Sequence, residues 1–332
     1  MSQTFIIAEA GANHNKDYRQ ALSLVDIAVE AGASAVKFQT YTSETLSSKY
    51  TPDFGGYKNI PKLIKNIELP RAWQKKIKHY CDDKGIEFMS TPFDEKAVDE
   101  LYEMGVKRLK IAGFEASDPR FVKYVASTKL PLIISAGIGI DLEMIGDIIS
   151  WVHGENTEAD ITILHCNNAY PTPISDINLL QIPTIIKQYP DITVGLSDHT
   201  EGILVPPLAV SLGAKCIEKH YTISQRLPGP DHSFAIEPQE LKKMIENIKS
   251  SELALSVQGT KFTDSELHFR KAMRSVVAKI PVKKGDIYTV QNLTTKRPFL
   301  ENSVAALDYY KLIGEIAKQD MVEDTILTKD MV

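Results

Sequence analysis

Residues 193–222 read TVGLSDHTEGILVPPLAVSLGAKCIEKHYT. Two short runs frame this stretch, Thr193 to Leu196 and Cys216 to Glu218, and a polar, glycine-bearing corner followed by a helix-compatible segment lies between them. That is one βα period. Reading outward, the same theme recurs at Phe5 to Ala8, Ala35 to Gln39, Glu87 to Ser90, Arg108 to Ile111, Leu132 to Ser135 and Ile161 to His165, which makes eight strand-like runs in all. The connecting segments carry helical stripes, such as Ala21, Leu24, Val25 and Ala28, or Leu241, Met244, Ile245 and Ile248, and Gly32 stands where the first helix needs a C-terminal cap. Strands that alternate with helices are parallel, and eight βα units in about 250 residues is the arithmetic of an α/β fold closed into a (β/α)8 TIM barrel. The competing open, doubly wound sheet lacks its G-x-G-x-x-G signature after any of these runs.

The pattern changes after Val257. Residues 1–257 are therefore read as the barrel, 258–271 as a polar linker, and 272–332 as a small appended module. A module of about 60 residues is marginal by itself and is expected to dock on the barrel or on a second chain. The longest interruption of the barrel pattern, Thr42 to Pro70, is expected to cover its mouth.

Composition narrows the function classes. The chain has 332 residues, 43% of them apolar, with 38 basic and 43 acidic side chains and a formal net charge of −5. With lysines scattered and no basic block, nucleic acid and anionic membrane are not expected partners. MSQTFIIAEAG has no basic leader region and no span is long and apolar enough to cross a bilayer, so a cytoplasmic enzyme is expected. Cys81, Cys166 and Cys216 form no C-x-x-C pattern and read as buried, reduced thiols.

In such a barrel the reactive groups stand at the C-terminal strand ends. Here those ends carry Glu9, Lys37, Gln39, Thr91, Lys110, Glu115, Ser135, Asn168, Tyr170, Ser197, His199, Glu218 and His220. Alternation puts Lys37 with Gln39, Ser197 with His199, and Glu218 with His220 on one face each, so a single inward polar ring is expected. His199 and His220 lie 21 residues apart, one βα period, which sets two imidazoles at one height on neighbouring strands. They are a candidate seat for a divalent cation, with Glu218 or Asp198 as further or supporting ligands. His14, His153 and His165 lack such a partner and read as structural. Lys37 and Lys110 are flanked by apolar residues and call for an anion, because a buried unpaired ammonium is costly. With the hydroxyls and Asn168 they can grip phosphate and carboxylate groups.

Several motifs, taken together, add to this reading: IIAEAGANHN at the start, VKFQTY at Val36 to Tyr41, STPFD at Ser90 to Asp94, HCNNAYPTP at His165 to Pro173, GLSDHT at Gly195 to Thr200, IEKHYT at Ile217 to Thr222, LPGPDHSFAIEP at Leu227 to Pro238 and TTKRP at Thr294 to Pro298. In this ordered set the chain resembles the phosphoenolpyruvate-dependent nonulosonic acid synthases, the sialic acid synthase family, and its C-terminal segment resembles their SAF, or antifreeze-like, domain. The resemblance implies condensation of phosphoenolpyruvate with the open-chain aldehyde of an N-acetylated amino sugar, with Mn2+ or Mg2+ on His199 and His220. It assigns Lys37, Thr91, Lys110, Ser135, Asn168 and Ser197 to phosphoenolpyruvate, and Glu9, Gln39, Glu115, Tyr170 and Asp231 to the sugar or the attacking water. It implies a domain-swapped homodimer in which Arg297 of one SAF domain reaches over the other subunit's barrel. The sequence departs from the family pattern at Gly113, where many members have a phosphate-contacting serine, and at Met273, where some have an aromatic residue. LPGPDH is closer to the neuraminic and legionaminic branches. Two other classes compete: a metal-independent Schiff-base aldolase using Lys37 or Lys110, and a non-enzymatic carbohydrate-binding protein acting through its C-terminal module.

Overall fold

The computed structural model describes residues 3–53, 56–256 and 262–332. The chain divides into two compact units, Met1–Ser256 and Val257–Val332. Residues 258–261 of the expected linker lie outside the described residues, and its remainder contains the short helix Asp264–Leu267 and the start of a 3-10 turn, Arg270–Ala272.

The first unit is built on eight strands: β1 (Phe5–Glu9), β2 (Ala35–Thr40), β3 (Glu87–Pro92), β4 (Leu109–Ile111), β5 (Leu132–Ala136), β6 (Ile161–Cys166), β7 (Thr193–Asp198) and β8 (Cys216–His220). They form one sheet in the order β3-β2-β1-β8-β7-β6-β5-β4, every recorded pairing is parallel, and β3 and β4 lie side by side to close the barrel. The helix Tyr18–Ala31 shows why the segments between strands fold as they do. Asp17 caps its first turn by accepting from Arg19 and Gln20, Ala21, Leu24, Val25 and Ala28 are buried along one stripe, and Gly32 ends it at φ 81°.

Strand parity then sorts the side chains into layers. Outward residues such as Ile6, Ala8, Val36, Phe38, Leu109 and Ile134 join the core beneath the helices, while Ile7, Ala35, Met89, Ile133, Leu164 and Cys216 form a separate apolar cluster inside the barrel. Two residues further along the same inward faces come Glu9, Lys37, Thr91, Ser135, Cys166 and Glu218. The barrel thus has an apolar floor and a polar top. Gly195 belongs to the floor: a Cβ there would stand 2.2 Å from the Cys216 carbonyl oxygen and 2.6 Å from Leu164 Cδ2, so only glycine lets the strands approach this closely.

The expected mouth insertion is not structureless. It carries the helices Ser43–Leu46 and Ile60–Ile67, and it is tied to the C-terminal strand ends by Thr45 Oγ1 to Asp94 (2.7 Å) and by the ion pair of Lys16 with Glu68 (3.5 Å). The second unit has its own core, including Val276, Ala278, Tyr288, Leu293, Val304, Met321 and Leu327, around the antiparallel pair β9 (Ser275–Ala278) and β10 (Leu293–Lys296). Arg297 is an exposed residue directly after β10, and Met273 is exposed ahead of β9.

Candidate active site

The ladder registers bring the polar ends together. Glu9 is the register partner of Lys37 on one side and of His220 on the other, Gln39 pairs with Thr91, and Ser197 pairs with Glu218. As a result Glu9, Lys37, Gln39, Thr91, Lys110, Ser135, Asn168, Tyr170, Ser197, His199 and His220 all line one narrow cavity of about 40 Å³, together with Ala112, Gly113, Cys166 and Glu218. A roomier recess of about 450 Å³ opens on the outer side of the β5 and β6 loops, but it is lined by Asp141, Glu143 and Asp176 and by no lysine or arginine, so the convergence of cations belongs to the smaller cavity. Glu115 and Asp231 do not line that cavity. Glu115 lies beyond β4 with Oε2 buried and unpartnered, and Asp231 accepts a bond from the Ala12 amide (3.2 Å), with its Oδ2 3.9 Å from His220 Nδ1. Gly11 makes room for this approach at φ 48°, where a Cβ would lie 2.8 Å from Asp231 Oδ2.

The two lysines stand in different electrostatic settings, which corrects the expectation that both call for an external anion. Lys37 has anions of the protein's own: Nζ lies 2.8 Å from Glu9 and 3.7 Å from Glu218, and it donates to Thr91 Oγ1 at 2.9 Å. Burial works against its charge, but Glu218 and Glu9 outweigh burial and hold the ammonium above its ordinary range. Lys110 donates to Ser135 Oγ (2.7 Å) and to the Ile111 carbonyl (2.8 Å), and among the described residues no carboxylate lies within ion-pair distance of it. Burial therefore prevails and lowers its pKa. The carboxylates divide in the same way. Burial lifts Glu9 to about 7 against the pull of Lys37, whereas at Glu218 burial is outweighed by Lys110 and Lys37 together, and its carboxyl is held low. Near neutrality the group carries one firm carboxylate and one that readily takes a proton. Glu115, with burial as the main cause, also rises to about 7.

The imidazoles form a second cluster. The ring centres of His199 and His220 are 5.4 Å apart, and Tyr170 and Phe234 pack against both or one of them. His199 Nδ1 sits 2.6 Å from the Asn167 carbonyl oxygen, so it must carry the proton and leave Nε2 with a free lone pair. His220 Nδ1 is buried without a hydrogen-bond partner. Burial pulls both rings below their ordinary pKa, so both are neutral at pH 7. Two neutral imidazoles with ring centres this close are donors of the type that fits a divalent cation with open positions for water and substrate, although among the described residues no group of three or more His, Cys, Asp or Glu is gathered as a metal site. Asp198 is not among the possible ligands: it points to the opposite face of β7 and bonds Lys219 at 2.7 Å. His14 is structural, with Nδ1 accepting from the Lys16 amide and burial pulling it to about 4, and His165 faces outward to the Ile177 carbonyl.

The sequence reading passed over Cys166, whose inward position follows from Leu164 by parity, and the Asn167 carbonyl that orients His199. It also missed why Gly113 suits this site: a Cβ there would come within 2.9 Å of Asn168 Oδ1, and one on Gly137 within 1.9 Å, so the Asn168 amide occupies the space both glycines leave.

Comparison with known proteins agrees with this architecture. The NeuB family matches residues 24–260, and the SAF domain matches residues 273–332. The chain is 38% identical to the N,N'-diacetyllegionaminic acid synthase of Legionella pneumophila, over 97% of this chain and 93% of that one. It is 35% identical to the enzyme of the same name from Campylobacter jejuni, over 98% and 99%. Among solved structures, the N-acetylneuraminic acid (sialic acid) synthetase of Leptospira borgpetersenii superposes with a TM-score of 0.73 at 34% identity, covering 81% of this chain and 90% of that one.

Proposed function

We propose, from the premise that the chain belongs to the NeuB family, that it is a nonulosonic acid synthase: it condenses phosphoenolpyruvate with the open-chain form of an N-acetylated amino sugar and releases phosphate. The observation that carries this reading is the cavity in which Lys37, Lys110, the hydroxyls of Thr91, Ser135 and Ser197, Asn168 and the pair His199 and His220 converge. The two similar enzymes named for diacetyllegionaminic acid favour a 2,4-diacetamido-6-deoxy hexose over N-acetylmannosamine as the sugar.

Lys110 is the cation without a carboxylate, so its ammonium, backed by Ser135, binds the phosphate of the enol phosphate, with Asn168 and Ser197 beside it. Lys37 and Thr91 hold the carboxylate end, and Lys37 moves its charge from Glu9 toward the substrate as it binds. Glu9, poised at about 7 and hydrogen-bonded to Gln39 (3.2 Å), holds or gives a proton at its Oε atoms toward the water or the sugar hydroxyls. His199 and His220 would hold Mn2+ or Mg2+, which supplies Lewis-acid polarisation of the aldehyde oxygen when bound. The partner assembly in this reading is a homodimer that brings Arg297 of the second copy to the sugar; the SAF match and the exposure of Arg297 support it. The setting is the cytoplasm, in keeping with three free, buried thiols and no described helix long and apolar enough to cross a membrane.

The test is phosphate release from phosphoenolpyruvate. It should require the amino sugar, stop on chelation, and fall by at least about 100-fold in His199→Ala and His220→Ala. Turnover that survives chelation overturns the metal assignment, and a lysine trapped by borohydride with pyruvate would replace the whole mechanism with imine chemistry.

A further inference from the structure

The ladder between β7 and β8 ends at Asp198 paired with Lys219, one residue short of both imidazoles, so no recorded strand bond joins His199 to His220. At the last two rungs, side chains cross between the strands instead. On the inner face Ser197 Oγ donates to Glu218 (3.1 Å), and on the outer face Lys219 Nζ donates to Asp198 Oδ2 (2.7 Å). The outer pair is completely enclosed, at 1% and 0% side-chain exposure. Lys219 also donates to the Thr200 carbonyl, and Asp198 Oδ1 accepts from the Thr200 amide (2.9 Å) and hydroxyl (2.8 Å). One ammonium on β8 therefore grips the residue before His199 and the residue after it.

We infer that Lys219 and Asp198 are positioning residues that set the distance between His199 and His220 by clamping the turn on which His199 stands to the strand that carries His220. The inference rests on the reading of those imidazoles as the metal seat. Replacing a buried ion pair by apolar residues of similar size is often neutral for stability. A pair kept for folding alone would therefore be dispensable to the site, whereas a clamp would not.

The experiment measures Mn2+ binding to the full chain without substrate, by electron paramagnetic resonance of free Mn2+, alongside thermal unfolding. Lys219→Met alone, which strands Asp198, should lower both the unfolding midpoint and the affinity. Asp198→Leu combined with Lys219→Met should recover the midpoint to within a few degrees while the Mn2+ affinity stays at least about tenfold weaker than in the parent, the size expected when a group supporting a ligand is lost. Recovery of both midpoint and affinity, to within about threefold, overturns the clamp. Should the double variant not fold, Asp198→Asn combined with Lys219→Met takes its place under the same criterion, since it removes both charges and keeps an acceptor for the Thr200 amide and hydroxyl. A parent chain that binds no Mn2+, or a His220→Ala variant that binds it as the parent does, refutes the metal seat itself, a result distinct from failure of the clamp.

Discussion

Removing Lys37 and removing Lys110 should have unequal consequences for stability, although both residues are buried and both face the cavity. Lys37→Met takes away the cation that bridges Glu9 and Glu218, which lie 2.8 and 3.7 Å from its nitrogen. Two enclosed carboxylates would then face each other, and breaking a buried pair by deleting one partner costs about 3–5 kcal/mol. At roughly 2–4 °C per kcal/mol for a unit of this size, the midpoint should fall by about 6–20 °C. Lys110→Met loses two bonds to neutral acceptors, Ser135 Oγ and the Ile111 carbonyl, and part of the pull that holds Glu218 low, but it leaves Glu218 with Lys37 at 3.7 Å and removes a charge that burial already disfavours. These effects oppose each other, and the net loss should be at most about half that of Lys37→Met. Far-UV circular dichroism melts at about pH 7.5 and about pH 5.5 give the assay. The gap should narrow at the lower pH, because one of the two facing carboxylates in Lys37→Met then takes a proton. Activity should fall at least about 30-fold in both, since each substitution removes a buried charge from the site. Equal destabilisation by the two substitutions, or a Lys37→Met midpoint within about 2 °C of the parent, would refute this account of the charges.

Two further outcomes are expected. Glu115 is held at about 7 against an ordinary 4.5, so the folded state keeps a proton that the unfolded chain releases; its stabilising contribution is complete below about pH 4.5 and is lost as pH climbs through 7. Glu115→Gln should therefore flatten the decline of unfolding free energy between about pH 5 and 8 by about 3 kcal/mol, measured by urea denaturation, and an unchanged slope would disprove the assignment. Gly137→Ala would place a methyl group 1.9 Å from Asn168 Oδ1 and so break its bond from the Ile138 amide (2.8 Å). If Asn168 holds the phosphate, KM for phosphoenolpyruvate should rise by about 10- to 100-fold, and steady-state kinetics with unaltered KM would remove Asn168 from that role.

Period and parity, read from the chain alone, determined most of the architecture. The strand-like runs became β1 to β8, and Lys37, Thr91, Ser135 and Glu218 fall inside the barrel because each lies two residues after an inward apolar neighbour, as Ser197 does after Gly195. Motif order added the likeness to a known family. Parity assigns a face, however, and not a neighbour. Which groups meet across strands depends on the stagger of the closed sheet, which sets Glu9 between Lys37 and His220. Only the tertiary structure decided that Lys37 has its counter-charges within the protein while Lys110 does not, because a charge partner contributed by another strand leaves no local trace. The same holds for Asp198. Its position beside His199 invites the role of a ligand, yet an odd step along an extended chain turns it to the far side, where Lys219 waits in register.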